Sequence, residues 1–114
     1  MAVRPVVVGV DGSASAYRAV EWAAAEAHRR GAGLRLVRAF SWTTADRPTA
    51  WVARYRDEML DVSRRQVARA VALAADTRPD VEAESQVEIG APIEVLSSEA
   101  RRAQLLVLGD RGLG

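Results

Sequence analysis

The first strand and the turn after it, Val6-Val7-Val8-Gly9-Val10-Asp11-Gly12-Ser13, set the architecture of the chain. The first five residues are mostly β-branched and do not alternate with polar ones, which is typical of a strand buried on both faces. Turn-forming residues then end the strand, and Ser13 or Ser15 is the candidate N-cap of the following helix. A doubly buried strand that turns directly into a helix predicts the first unit of a parallel α/β sheet.

The rest of the chain continues this alternation of strands and helices. Further strands are predicted at 34–40, 81–89 and 105–108, with a loop at 41–49. The 3.6-residue period predicts one apolar face for each helix. These faces are Val20, Ala23, Ala24 and Ala27 in the first helix, Tyr55, Met59, Val62, Gln66, Ala70 and Leu73 in the second (51 to about 75), and Ile93, Leu96, Ala100 and Ala103 in the third. The order β-α-β-α-β-α-β predicts a mostly parallel sheet with helices on both faces.

The last two strands differ in polarity. The segment 81–89 alternates, with Glu82, Glu84 and Glu88 on one side, which favours a half-solvated strand near the sheet edge. We expect this acidic row to be a solvated edge rather than an acid–base pair. The segment 105–108 is apolar throughout, like the first strand, and is expected in the centre of the sheet.

Composition excludes several classes of chemistry. The 114 residues contain no Cys, a single His (His28) and 16 basic residues that are all Arg, so thiol, lysine and multi-histidine metal chemistry is absent. A net charge of +1 gives no general attraction to nucleic acid or to an anionic membrane. The N-terminus lacks a signal-peptide core, and no window approaches the ~18 apolar residues of a membrane span. We therefore expect a cytoplasmic domain.

Two glycine-containing loops are the candidate binding elements. One is Asp11-Gly12-Ser13 after the first strand, and the other is the segment 109–114 after the fourth. Open parallel sheets bind ligands at the carboxyl ends of their strands, where glycines let backbone N–H groups approach a phosphate. Neither Gly9-x-x-Gly12 nor Gly109-x-x-Gly112-x-Gly114 matches the dinucleotide pattern G-x-G-x-x-G, so neither is specific alone.

Taken together, Val8-Gly9-Val10-Asp11-Gly12-Ser13 and Leu108-Gly109-Asp110-Arg111-Gly112-Leu113-Gly114 resemble the universal stress protein family. The resemblance covers the whole chain, including the helix start at Gly90-Ala91-Pro92. It implies a three-layer α/β sandwich, Rossmann-like, with sheet order 3-2-1-4-5. The four strands of this chain are then expected in the order 3-2-1-4, with the first and fourth side by side.

The resemblance also implies a ligand and its contacts. Nucleotide-binding members hold ATP, and the part played by Mg is left open. By position, Gly9 and Asp11 would lie at the adenine and ribose end, and the backbone of Ala39 would face the adenine edge. Gly109, Arg111 and Gly112 would lie beneath the phosphates. Asp11 also has a purely local interpretation as an Asx-turn residue, and Arg111 has one as a solvated loop charge.

The family pattern continues with a second phosphate loop near position 122, beyond Gly114. We therefore expect residues 1–114 to form a single domain that ends after the fourth strand, with Gly114 not the functional terminus. A fifth strand or a neighbouring molecule would then cover the edge of 105–108.

Three functions follow from these observations. The leading one is a stress-response module that binds ATP and works as a regulator, as a homodimer. An alternative is a nucleotide-free interaction or dimerisation domain of the same fold. Slow ATP hydrolysis is the least favoured, because the chain shows no activated nucleophile or metal cluster.

Overall fold

A computed structural model describes residues 3–40 and 49–110, and for residues 49–51 it describes the backbone alone. Strands and helices alternate along the chain, as predicted from the sequence. The elements are β1 (Val6–Gly9), α1 (Ala14–Arg30), β2 (Leu34–Phe40), α2 (Thr49–Thr77), β3 (Ala83–Ile89), α3 (Pro92–Ala100) and β4 (Leu105–Val107). The predicted loop at 41–49 lies outside the described residues, except for Thr49, which begins α2.

The four strands form one parallel sheet in the order β3-β2-β1-β4. Val6 of β1 is in register with Leu34 of β2 on one side and with Leu105 of β4 on the other. The predicted order and the edge position of the Glu-rich strand are confirmed. Among the described residues no strand pairs with the outer edge of β4, which agrees with the order 3-2-1-4 expected for these four strands. Because this edge is open, β4 is only half-buried, in contrast to the full burial that its apolar sequence favoured.

The helices cover the two faces of the sheet. Helices α1 and α2 pack on one face, where Val6, Val8 and Leu36 meet the alanines of α1 and Ala70 and Ala74 of α2. Helix α3 covers the other face, where Val95 and Leu96 meet Val7, Val37 and Ala39. The alternation of side chains along each strand therefore divides the core into two layers of apolar contacts, and the fold is the expected three-layer α/β sandwich.

Helix α1 follows its prediction closely. Ser13 is the N-cap, and its hydroxyl accepts a hydrogen bond from the Ala16 N–H at 3.1 Å. Its predicted apolar face is fully buried. Gly31 ends the helix in the left-handed conformation, with φ at 64°.

The apolar face predicted for α2 is wrong by about one residue. The buried positions are Ser63, Val67, Ala70 and Ala74. Of the predicted row only Ala70 is among them, and Tyr55 is 39% exposed. The 3.6-residue period was correct, but the row richest in large apolar side chains is not the row that faces the sheet.

The apolar face predicted for α3 is only partly correct. Leu96 is buried as predicted and Ala103 packs against the core, whereas Ile93 is 80% exposed and Ala100 is also exposed. Val95 and Glu99 are buried instead. A carboxylate occupies a buried position because Arg35 of β2 donates two hydrogen bonds to Glu99, at 2.8 and 3.0 Å.

The acidic row of β3 is only partly the solvated edge that was expected. Glu82 and Glu84 are exposed, but Glu88 is half-buried and forms an ion pair with Arg35 at 3.4 Å. Arg35 also donates to Glu84 at 3.1 Å, so one guanidinium ties the edge strand to β2 and α3.

Candidate functional site

The loops after β1 and β4 lie side by side, because the two strands pair in parallel and end at the same edge of the sheet. Gly109 rests directly on the first turn of α1. A Cβ added there would lie 2.5 Å from Ser15 Oγ and 2.8 Å from the Ala16 backbone nitrogen. Only a glycine fits this position without displacing the helix start.

The β1 loop is held by local hydrogen bonds. The Asp11 carboxylate accepts a hydrogen bond from the Ser13 N–H at 2.9 Å, which is the Asx-turn contact considered from the sequence. Gly12 adopts φ of 84°, a left-handed conformation that favours glycine. Asp11 is half-buried. Its carboxylate therefore stands at the carboxyl end of β1, with one contact to the backbone that shapes the loop.

Gly9 lies at the end of β1 in register with Val37 of β2, and Ala39 follows two residues further along β2. Gly9 and Ala39 line a cavity of about 10 Å³ with Val37, Pro92 and Leu96, beside the start of α3. This volume is about that of one water molecule, so a nucleotide base would rest above these residues rather than between them.

A larger groove opens on the other side of Gly109. It has a volume of about 510 Å³ and runs between α1 and the end of β4, lined by Ser15, Arg18, Trp22, Leu108 and Asp110 among others. The Trp22 side chain is 55% exposed. The groove therefore joins the carboxyl end of β4 to the open edge of the sheet.

The structure thus brings Gly9, Asp11, Ala39 and Gly109 to one end of the sheet. The two other predicted contacts, Arg111 and Gly112, lie outside the described residues. In the segments 3–40 and 49–110, no three His, Asp or Glu side chains gather into a potential metal site. Nor does any helix of those segments combine the length and apolar character needed to cross a membrane.

The sequence did not predict three polar residues between α2 and the sheet, of which two belong to α2 and one to β2. Arg38, Ser63 and Gln66 each hold a buried polar atom without a hydrogen-bond partner among the described residues. Gln66 lies against the β1 loop, because a Cβ on Gly12 would overlap its amide group. The available signal was Gln66 itself, a polar residue that interrupts an otherwise apolar row of α2.

An open parallel sheet with helices on both faces is a doubly wound α/β fold, and in this class ligands bind at the carboxyl ends of the strands. The family model described as the universal stress protein family matches residues 2–114. The chain belongs to the universal stress protein family.

Known relatives agree with this assignment. A universal stress protein of Mycobacterium tuberculosis is 36% identical over 112 residues, which cover 96% of this chain. The chain spans 35% of the length of that relative.

Solved structures agree on the fold. A universal stress protein in complex with cAMP is 28% identical, with a TM-score of 0.74, and the match covers 100% of this chain and 81% of that one. A universal stress protein from Archaeoglobus fulgidus in complex with dAMP is 25% identical, with a TM-score of 0.73, over 97% of this chain and 84% of that one.

Proposed function

We propose that this chain is a stress-response domain that binds an adenine nucleotide between the carboxyl ends of β1 and β4 and acts as a regulator. The proposal rests on the close packing of Gly109 against the first turn of α1. This packing places the segment after β4 beside the loop that contains Asp11. Two structural relatives contain cAMP and dAMP, each an adenine nucleotide with one phosphate. A shared fold with such complexes supports the same ligand class here.

The roles of the residues follow from their positions. The backbone near Gly109 can approach phosphate oxygens closely, and the N-terminal end of α1 beside it favours negative charge. The Asp11 carboxylate can accept hydrogen bonds from ribose hydroxyls while it keeps its contact with the Ser13 N–H. The Ala39 backbone is suited to the polar edge of adenine. Arg111 and Gly112 are proposed as further phosphate contacts on the sequence pattern alone.

The finer features are also proposals. ATP is the proposed natural ligand, with or without Mg, and residues 1–114 are proposed to form a single domain in a cytoplasmic homodimer. Slow hydrolysis of ATP remains the weaker alternative, and a phosphate-release assay on the protein–ATP complex tests it directly.

Calorimetric titration with ATP, AMP and cAMP tests the proposed function. We expect Asp11→Ala to weaken binding by about tenfold or more, because a buried ligand hydroxyl loses its acceptor. Asp11→Asn separates the two roles of this residue. It keeps an oxygen for the Ser13 N–H and should therefore fold like the parent, but it loses the negative charge. Parent-like affinity in both variants would contradict the site, and no binding by the parent would contradict the function.

A nucleotide-free interaction domain is favoured by one observation, the groove along β4 with its exposed Trp22. In that case association would occur without nucleotide, and the titrations would show no heat of binding. Sedimentation velocity with and without ATP distinguishes the two functions.

A further inference from the structure

The outer edge of β3 is open in the segments that the structure describes, because β3 is the last strand on its side of the sheet. Its pairing with β2 determines which backbone groups face outward. The Leu34 N–H donates to the Glu82 carbonyl at 2.9 Å. At the other end of the strand, the Gly90 N–H donates to the Phe40 carbonyl, also at 2.9 Å. Even-numbered residues therefore face β2, and the odd-numbered residues of 83–89 direct their N–H and C=O groups to the open edge.

A groove of about 430 Å³ runs beside this edge, between α2 and β3. We call it the β3 groove, and its lining includes Arg56, Leu60 and Arg64 of α2 and Ser85, Val87 and Ile89 of β3. Ser85 is exposed and Ile89 is 56% exposed, so α2 leaves part of this face uncovered. The three residues of β3 also hold outward backbone groups. The open edge and the groove therefore form one continuous surface.

The β3 groove carries positive charge. Arg56 and Arg64 line it, and no carboxylate lines it among the described residues. Arg64 forms an exposed ion pair with Asp61 at 3.7 Å, a contact weak enough to be exchanged for another carboxylate. The two glutamates of β3 lie on the opposite face of the sheet, where both pair with Arg35, and so they do not neutralise the groove.

The spacing of side chains along α2 matches the repeat of an extended strand. Arg56, Leu60 and Arg64 follow one another at intervals of four residues, so each step along the helix is about 6 Å. Every second side chain of a β-strand points to the same face, and these side chains repeat at about 6.6 Å. A strand added beside β3 can therefore place three successive side chains of one face opposite the two arginines and the leucine between them.

A second copy of β3 is a poor occupant of this edge. Two β3 strands related by a twofold axis would pair antiparallel in one joint sheet, with the glutamates of both copies on the same face. Like charges in neighbouring positions of paired strands are destabilising. The groove instead suits a strand that carries carboxylates on the face turned to α2.

We propose that the β3 groove binds an extended acidic peptide segment of another protein, which adds to the sheet as a strand beside β3. The preferred segment carries a carboxylate, an apolar side chain and a second carboxylate at every second position. Backbone hydrogen bonds to Ser85 and Val87 supply affinity, and Arg56, Leu60 and Arg64 select the side chains. Nucleotide binding at the ends of β1 and β4 is not required for this contact.

Fluorescence anisotropy with labelled synthetic peptides tests the proposal on the nucleotide-free protein. The probe has seven residues, with glutamate at its second and sixth positions, valine at its fourth and threonine elsewhere. We expect it to bind, and we expect the same peptide with lysine in place of glutamate to bind about tenfold more weakly or less. Methylation of every backbone nitrogen of the glutamate peptide removes its hydrogen-bond donors and should abolish binding.

Two matched pairs of variants locate the contact. Arg64→Glu should weaken binding of the glutamate peptide by about threefold to tenfold. Arg65→Glu, at the next exposed arginine and outside the groove lining, should change the dissociation constant by less than about twofold. Ser85→Pro should abolish binding, because proline removes an outward N–H while the hydrogen bonds to β2 remain. Ser85→Ala keeps that N–H and should bind the peptide like the parent.

Circular dichroism establishes that each variant is folded, and the methylated peptide with the parent protein replaces Ser85→Pro if that variant unfolds. Lack of binding by the glutamate peptide would overturn the proposal, as would equal binding of the lysine or the methylated peptide. Equal affinities of Arg64→Glu and Arg65→Glu, or parent-like affinity in a folded Ser85→Pro, would also overturn it. Because these titrations contain no nucleotide, their outcome is independent of the calorimetric test of nucleotide binding.

Discussion

Gly109 lies so close to α1 that no side chain fits between them. A Cβ at this position would contact Ser15 Oγ at 2.5 Å and the Ala16 backbone nitrogen at 2.8 Å. We expect Gly109→Ala to destabilise the fold by about 1–3 kcal/mol, because the backbone of the first turn must move to admit the methyl group. Gly33→Ala is the control, since its nearest neighbour would be Glu82 O at 3.4 Å. Equal chemical denaturation midpoints for the two variants would contradict this packing.

The carboxylates around Arg35 have pKa values that move in opposite directions. The hydrogen bonds from Arg35 lower the pKa of Glu99, whereas the neighbouring Glu99 carboxylate raises the pKa of Glu88. A lowered folded-state pKa means that Glu99 stabilises the protein above its ordinary pKa near 4.5 and that this stabilisation is lost as the pH falls. A raised folded-state pKa means that the contribution of Glu88 is lost as the pH rises.

We therefore expect Glu99→Gln and Glu88→Gln to act with opposite signs at pH 7. Glu99→Gln keeps one acceptor oxygen but removes the negative charge that Arg35 pairs with at this buried position, and it should destabilise the fold by about 1–3 kcal/mol. Glu88→Gln relieves the repulsion with Glu99 and should be neutral or stabilising. Urea denaturation across pH 3–8 measures both effects, and equal losses in the two variants at pH 7 would show that the electrostatic assignment is wrong.

At the scale of helices and strands, the buried faces of two helices were the features that the sequence pattern predicted least well. The strands and the face of α1 were predictable, because their buried residues are almost all apolar and form runs or faces with little polar interruption. The faces of α2 and α3 were not, because each buries a polar residue, Ser63 or Glu99, and leaves apolar residues such as Ile93 exposed. The buried position of Glu99 depends on Arg35, a partner 64 positions away in the sequence, which no local periodicity can show.

The orientation of α3 can be tested with a matched pair of substitutions. Leu96→Ala should cost about 2–3 kcal/mol, since it leaves a cavity against Val7 and Val37. Ile93→Ala should change stability by no more than about 0.5 kcal/mol, because this side chain is largely in solvent. Thermal denaturation of both variants distinguishes the structure from the face predicted by sequence, which would make both substitutions costly.

At the scale of the whole sheet, the described residues leave one edge open, along β4. In the described segments no strand pairs with the outer edge of β4, and Trp22 and Leu108 are exposed beside it. We expect concentration-dependent self-association through this edge, because an unpaired strand edge with apolar neighbours is a template for pairing. Trp22→Gln should weaken the association, and Ile93→Gln, on the opposite face, should not. Sedimentation velocity measures this, and a monomer at every concentration would contradict it.

Part of the candidate site was accessible from the sequence, and part was not. Parallel strands end at a common edge, so the proximity of Asp11 and Gly109 followed from topology alone. The position of Gln66 beside Gly12 did not follow, because it depends on how a helix 29 residues long crosses the sheet.

The most direct measurement is a ¹H–¹⁵N correlation spectrum of the labelled protein during titration with AMP. If the nucleotide binds between the ends of β1 and β4, the largest changes will occur at the amides of Gly9, Asp11, Ala39 and Gly109. The cleft at the opposite end of the sheet, which includes Gly33 and Glu82, will remain unchanged. Changes confined to that opposite cleft, or no changes at saturating AMP, would contradict the proposed site.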